Sequence, residues 1–196
     1  MNLGSLMKMG EILDRLNNTA SVICYQKAWE YYPASQKAAY AYANELVRQK
    51  KAAKAIPVCD SILLPDPHNI KFLKLKGYAY YKSGEPYNAL TAFGRATGEG
   101  DSTAFTFKYK GICHYLVADF NSSVQDLELA ALKDSTDAEI RFFLGSSLAT
   151  TTRKEEAMHH LDRSLELMQP DPPVVGRIHA EQGNIERLRM NYDKAL

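Results

Sequence analysis

Between Ile70 and Thr103 the chain reads IKFLKLKGYAYYKSGEPYNALTAFGRATGEGDST, with apolar and small residues recurring three and four positions apart. That spacing predicts two amphipathic helices, and Ser83-Gly84-Glu85-Pro86 predicts the turn between them. Sliding the stretch by 34 residues lays it on itself: Gly77 falls on Gly111 and Gly145, and one period earlier on Ala43. Ala89 falls on Ser123 and Ala157, and backwards on Ala55. Phe93 falls on Leu127 and Leu161, and Ala96 on Ala130 and Ser164. A fixed period of this size predicts stacked two-helix units, none of which can bury its apolar face alone.

The residue types at those positions have a physical reason. A glycine inside a helix costs roughly 0.5–1 kcal/mol against alanine. Its recurrence at Gly77, Gly111 and Gly145 therefore predicts close approach of two helix backbones. Phe93 is expected to fill the space beside those small residues, with Ala96 on the same face.

At these residues the chain resembles the tetratricopeptide-repeat (TPR) family. Counted within a 34-residue unit, the family pattern has a small residue at 8, an aromatic or large apolar one at 11, Ala at 20, a Phe-like residue at 24 and Ala at 27. Gly77, Tyr80, Ala89, Phe93 and Ala96 occupy those places, and Pro33 and Pro67 hold position 32, where Pro is frequent. Position 4 lacks the usual Trp, and position 7 holds Lys76 and Lys110 where Leu is usual. The resemblance implies an all-α, right-handed α-solenoid of about five and a half stacked helix-turn-helix units. These are expected at about 2–35, 36–69, 70–103, 104–137, 138–175 and 176–196, the last incomplete.

Local signals mark individual units. Asn17-Asn18-Thr19 and Asn121-Ser122-Ser123 match glycosylation sequons, but both fall where a helix should start and are read as caps. Pro57 sits about a turn inside a predicted helix, where it is expected to bend it, and Leu64-Pro65-Asp66-Pro67 to end it. Gln169-Pro170-Asp171-Pro172-Pro173 is expected to be a stiff loop that shifts the sixth unit to about Gly176. Asn191–Leu196 matches a turn and the start of a second helix, with Tyr192 and Ala195 at positions 17 and 20. A chain that stops there is expected to be a fragment of a longer protein, and to self-associate through the incomplete unit.

Composition narrows the chemistry. The chain has 196 residues, 45% of them apolar and 24% charged, as in an ordinary folded protein, with a net charge of +1 that draws neither nucleic acid nor a membrane. No apolar run is long enough to span a membrane, and Glu11 and Asp14 make the amphipathic N-terminus unlike a signal peptide, so the sequence assigns no compartment. Cys24, Cys59 and Cys113 form no metal or redox spacing and are expected to be buried thiols. Nucleotide-binding, nucleophile-elbow and zinc motifs do not occur, His159 and His160 point apart on a helix, and His114 reads as a half-buried core residue. The expectation is a non-enzyme without metal or cofactor.

One further stripe stands out. Positions 2, 5, 9, 12 and 13 of each first helix share a face. They hold Lys37, Tyr40, Asn44, Val47 and Arg48, then Lys71, Lys74, Tyr78, Tyr81 and Lys82, then Phe105, Lys108, Ile112, Tyr115 and Leu116. In the TPR family this face lines the concave groove that binds peptides. A stripe of cations and tyrosines without Asp or Glu predicts a protein-protein interaction scaffold for an extended acidic segment. The family's carboxylate clamp is not reproduced, because Tyr40 precedes Asn44 and Leu75 stands at position 6 of the third unit. Single-stranded RNA, a glycan on the tyrosines, or a passive spacer for sequence outside the chain are the alternatives.

Overall fold

The computed structural model describes residues 2–168 and 172–193. Among them are eleven α-helices and no strand: α1 (Leu3–Arg15), α2 (Ser21–Tyr31), α3 (Gln36–Arg48), α4 (Ala55–Leu63), α5 (Ile70–Lys82), α6 (Pro86–Gly98), α7 (Ala104–Leu116), α8 (Phe120–Lys133), α9 (Ala138–Ala149), α10 (Lys154–Leu167) and α11 (Pro172–Asp193). They form two compact units, Met1–Asp101 and Ser102–Leu196. In the first, each helix from α1 to α6 packs on its neighbours in sequence, and α3 also meets α5. In the second, α7 to α10 follow the same rule, α7 also meets α9, and α11 packs on α9 and α10. This is an all-α helical-repeat architecture.

The period is written in the caps as well as the core. Asn2, Ser35, Asn69, Thr103 and Asp137 are the N-caps of α1, α3, α5, α7 and α9. All but Thr103 accept a backbone N–H through the side chain, satisfying a donor the helix leaves open. At the other end, Asn17, Lys50, Gly84 and Ala118 all have left-handed backbones, with φ of 51°, 59°, 78° and 61°. In each case the next N–H reaches the carbonyl five residues before it, as Glu85 does to Tyr80 at 2.9 Å and Asp119 to His114 at 2.9 Å. This is the Schellman stop, which favours glycine and, of these four turns, receives it only at Gly84.

The close approach expected at the glycines is present. A Cβ on Gly77 would lie 2.8 Å from the Phe93 ring, one on Gly111 2.7 Å from Leu127 Cγ, and one on Gly145 2.8 Å from Leu161 Cγ and 3.0 Å from the Ala157 carbonyl. Gly10 plays the same part against the Tyr25 ring. Phe93, Leu127 and Leu161 are fully buried, as are Ala89, Ala96, Ala130 and Ala157. Cys59 and Cys113 are buried free thiols that desolvation pushes up to about 12, so both stay protonated.

Local expectations were corrected at five places. The segment before Pro57 winds as a 3₁₀ turn, Ala52–Lys54, and α4 begins at Ala55. Pro57 thus falls in the first turn, where its missing N–H leaves nothing unpaired, and the expected bend has no cause. Pro172 and Pro173 likewise open α11 instead of prolonging a loop. Asn18 turns back on the Ala20 N–H at 2.9 Å without capping α2, and Asp119, not Asn121, caps α8 through the Ser122 N–H. The helix α11 continues through Asn191 to Asp193 where a turn was expected. Ala195 lies outside the described residues.

Candidate functional site

Helix register places Lys37, Tyr40, Asn44 and Arg48 along α3, and Lys71, Lys74, Tyr78, Tyr81 and Lys82 along α5. α3 and α5 pack against each other. Asn44, Val47, Arg48, Lys50, Tyr78 and Lys82 line a groove of about 640 Å³. Lys50 was not legible as a groove residue. It follows the end of α3, in a left-handed backbone.

The cations divide into two kinds. Lys37 Nζ lies 3.7 Å from Glu11, and Arg48 binds Glu45 at 2.8 Å and Asp14 at 2.5 Å. Lys74 meets Asp101 at 3.1 Å, and Lys108, on α7 in the second unit, meets Asp137 at 2.6 Å and Glu139 at 2.7 Å. Their charge is met from within the chain. The stripe lacks acidic residues, but the neighbouring helix ends and caps supply them.

Lys71 and Lys82 differ. Lys71 Nζ stands 3.8 Å over the Tyr40 ring, and Lys82 Nζ stands 5.3 Å from the Tyr78 ring centre and 5.2 Å from that of Tyr81. Among the described residues neither has a carboxylate within ion-pair distance. Cation–π contact holds such an ammonium without neutralising it.

Glu45 lies behind the groove, against α2. It is buried and accepts hydrogen bonds from Ser21 Oγ at 2.8 Å, Arg48 Nε at 2.8 Å and Gln49 Nε2 at 2.7 Å. Burial pushes its carboxyl up, but these hydrogen bonds outweigh burial and hold it below the usual glutamate value. The ionised carboxylate orients Arg48 at the groove edge.

Two members of the stripe, Val47 and Ile112, are core residues, and Tyr115 is half-buried. Ile112 is fully buried. Tyr115 packs edge-on between Phe120 and Phe143, with ring centres 5.7 and 5.2 Å away, and burial raises its hydroxyl's pKa. His114 is half-buried, its ring nitrogens 3.3 Å from Asp119 and 3.5 Å from Asp126. No helix among the described residues is long and apolar enough to cross a membrane, and no group of three metal-ligating side chains occurs among them.

No family model matches the sequence, and no curated protein matches it. Solved structures do. PilF of Pseudomonas aeruginosa aligns with a TM-score of 0.78 at 15% identity, over 98% of this chain and 86% of that one. A thermophilic TPR protein of Thermus thermophilus aligns with a TM-score of 0.68 at 17% identity, over 92% and 99%. YrrB, described as a TPR protein with an unusual peptide-binding site, aligns with a TM-score of 0.69 at 20% identity, over 90% of each chain. The helix pairs, their period and these alignments together give this chain the tetratricopeptide-repeat fold.

Proposed function

We propose that the chain is a non-catalytic protein-protein interaction scaffold, and that the α3–α5 face of its first unit binds an extended acidic peptide segment. The observation that carries this reading is the pair Lys71 and Lys82, exposed ammonium groups held over tyrosine rings with no carboxylate partner among the described residues. The helix-packing core does not need them. They supply charge for a carboxylate, and Tyr40, Tyr78 and Tyr81 supply rigid contact area with polar tips. Asn44, exposed at the groove, adds an amide able to donate to and accept from a peptide backbone. Similarity in fold to YrrB, whose description names a peptide-binding site, agrees with this use.

Fluorescence anisotropy with a labelled glutamate-rich peptide and its glutamine counterpart tests the reading. The glutamate peptide is expected to bind the wild type, with the Lys71→Glu/Lys82→Glu variant weaker by about a hundredfold, as loss of two charge-assisted contacts implies. Lys74→Gln, which removes a charge already met by Asp101, is expected to matter far less. Equal binding of both peptides, or unchanged binding by the double variant, overturns it.

A further inference from the structure

The second unit holds a site of its own, away from the stripe. α8, α9 and α10 flank an open pocket of about 330 Å³ lined by Glu128, Ala131, Leu132, Arg141, Leu144 and His160. Arg141 is unusual there. It stands at position 4 of its repeat, where the corresponding residues are the buried Ala39 and Leu73, and Phe107. His160 stands one period beyond Asp126 and two beyond the buried Ala92. Position 4, apolar in the second, third and fourth units, here holds a cation, and an imidazole stands where the preceding unit has Asp126.

Arg141 donates Nη1 toward His160 Nδ1 at 3.2 Å and Nη2 to the Ser135 carbonyl at 3.4 Å. Its Nε is buried and has no hydrogen-bond partner, and among the described residues no carboxylate lies within ion-pair distance of it. The carboxylate in the pocket wall, Glu128, is held by Arg153 at 2.9 Å. The side chain is half-buried, and a guanidinium with a buried, unmet N–H and no anion beside it keeps a donor free for one.

We infer that this pocket binds a carboxylate carried on a short apolar group, with Arg141 holding the anion, Ala131 and Leu144 forming the apolar floor, and the exposed Leu132 at its rim. His160 reports on that event. Burial, then the positive charge of Arg141 and His159, depresses its pKa to about 4, against the opposite pull of Glu156 and Glu128. An anion on Arg141 cancels part of that repulsion, so binding raises the His160 pKa, and reciprocally protonation of His160 tightens binding.

The test is an NMR titration of the full chain with three probes: sodium butyrate, neutral butanamide, and a capped peptide with a single glutamate. Butyrate or the glutamate peptide is expected to shift the His160 ring signals saturably and raise its pKa, while butanamide does neither. Saturation by butyrate alone identifies a free acid as the source, and saturation by the peptide identifies a protein side chain. Arg141→Leu is expected to weaken binding at least about tenfold, the loss of a charge-assisted hydrogen bond. That variant installs the residue found at the corresponding Leu73, so its thermal melt is expected to match or exceed that of the wild type. Failure of both carboxylate probes to move His160, or Arg141→Leu binding as tightly as the wild type, overturns the inference.

Discussion

The hairpins α5–α6 and α7–α8 share one backbone plan and treat the same lysine in opposite ways. Both have a glycine under a large side chain, Gly77 beneath Phe93 and Gly111 beneath Leu127. Both carry a lysine at position 7, where the apolar pattern calls for leucine. Lys76 reaches Asp60 on α4 at 2.5 Å, and that carboxylate is half exposed. Lys110 turns to Asp126 within its own hairpin, 3.0 Å away, and the Asp126 side chain is only 8% exposed. An exposed pair is worth about 0–1 kcal/mol, whereas a buried pair is held together chiefly by the penalty for separating it. The two lysines are similarly half-buried, 19% and 24% exposed, so the exposure of the partner carboxylate is what makes the pair dispensable in one unit and a structural commitment in the next.

Removing the cation from each hairpin breaks the comparison most sharply. Lys110→Leu leaves Asp126 buried without its ammonium and is expected to destabilise by about 2–3 kcal/mol in urea titrations. Lys76→Leu is expected to stay within about 0.5 kcal/mol of the wild type. The double variant Lys110→Leu/Asp126→Ala should recover most of the loss, because Ala92 already fills the corresponding place in α6. Equal losses in the two single variants would show that burial does not set the difference.

A smaller effect is expected at the turns. Ala118 and Gly84 occupy the same left-handed position, at φ of 61° and 78°. Ala118→Gly is expected to raise stability by about 0.5–1 kcal/mol and Gly84→Ala to lower it by a similar amount, read as opposite shifts in melting temperature. Shifts of the same sign would mean that neighbouring contacts, not backbone strain, govern these turns.

The mildest contrast is in pH. Glu45 in the first unit titrates below the usual glutamate value, since hydrogen bonds from Arg48, Ser21 and Gln49 outweigh the effect of burial. Its contribution is therefore present above the unfolded value and lost as pH falls through the folded one. Asp126 goes the other way. Burial raises its carboxyl above the usual aspartate value, only partly opposed by Lys110, so folding takes up a proton and stability falls as pH rises through that window. Glu45→Gln is expected to flatten the acid side of the melting-temperature profile, and Asp126→Asn to remove the decline above the usual aspartate range. A Glu45→Gln profile as steep as that of the wild type would contradict the first assignment.

Much of the fold was legible because helix packing is a local, periodic constraint. The glycine-to-aromatic spacing of Gly77 and Phe93, repeated at 34 residues, predicted which backbones approach and which side chains fill the gap. Gly10 escaped that pattern because it stands 15 residues before Tyr25, whereas Gly77 stands 16 before Phe93. A strict period looks one place too early and finds Met9. The bend expected at Pro57 failed for a related reason: proline tells where a helix cannot have a donor, not where the helix will begin.

The candidate site was legible only as a list of residues sharing a face. Sequence register put Lys37, Arg48, Lys74, Lys108, Lys71 and Lys82 on one kind of stripe without saying which charges would be met. Glu11, Asp14, Asp101 and Asp137 do not belong to that stripe: the packing of α1–α2 on α3 brings Glu11 and Asp14 to Lys37 and Arg48, and the segments that follow α6 and α8 bring Asp101 to Lys74 and Asp137 to Lys108. The sequence by itself determined the all-α repeat, its period and its core, because those follow from spacing along one helix and its partner. Only the tertiary structure decided that Lys71 and Lys82 stand over tyrosine rings and that, among the described residues, neither they nor Arg141 meet a carboxylate. Ion pairs form between residues far apart in the chain, and their geometry depends on distances that no periodicity encodes.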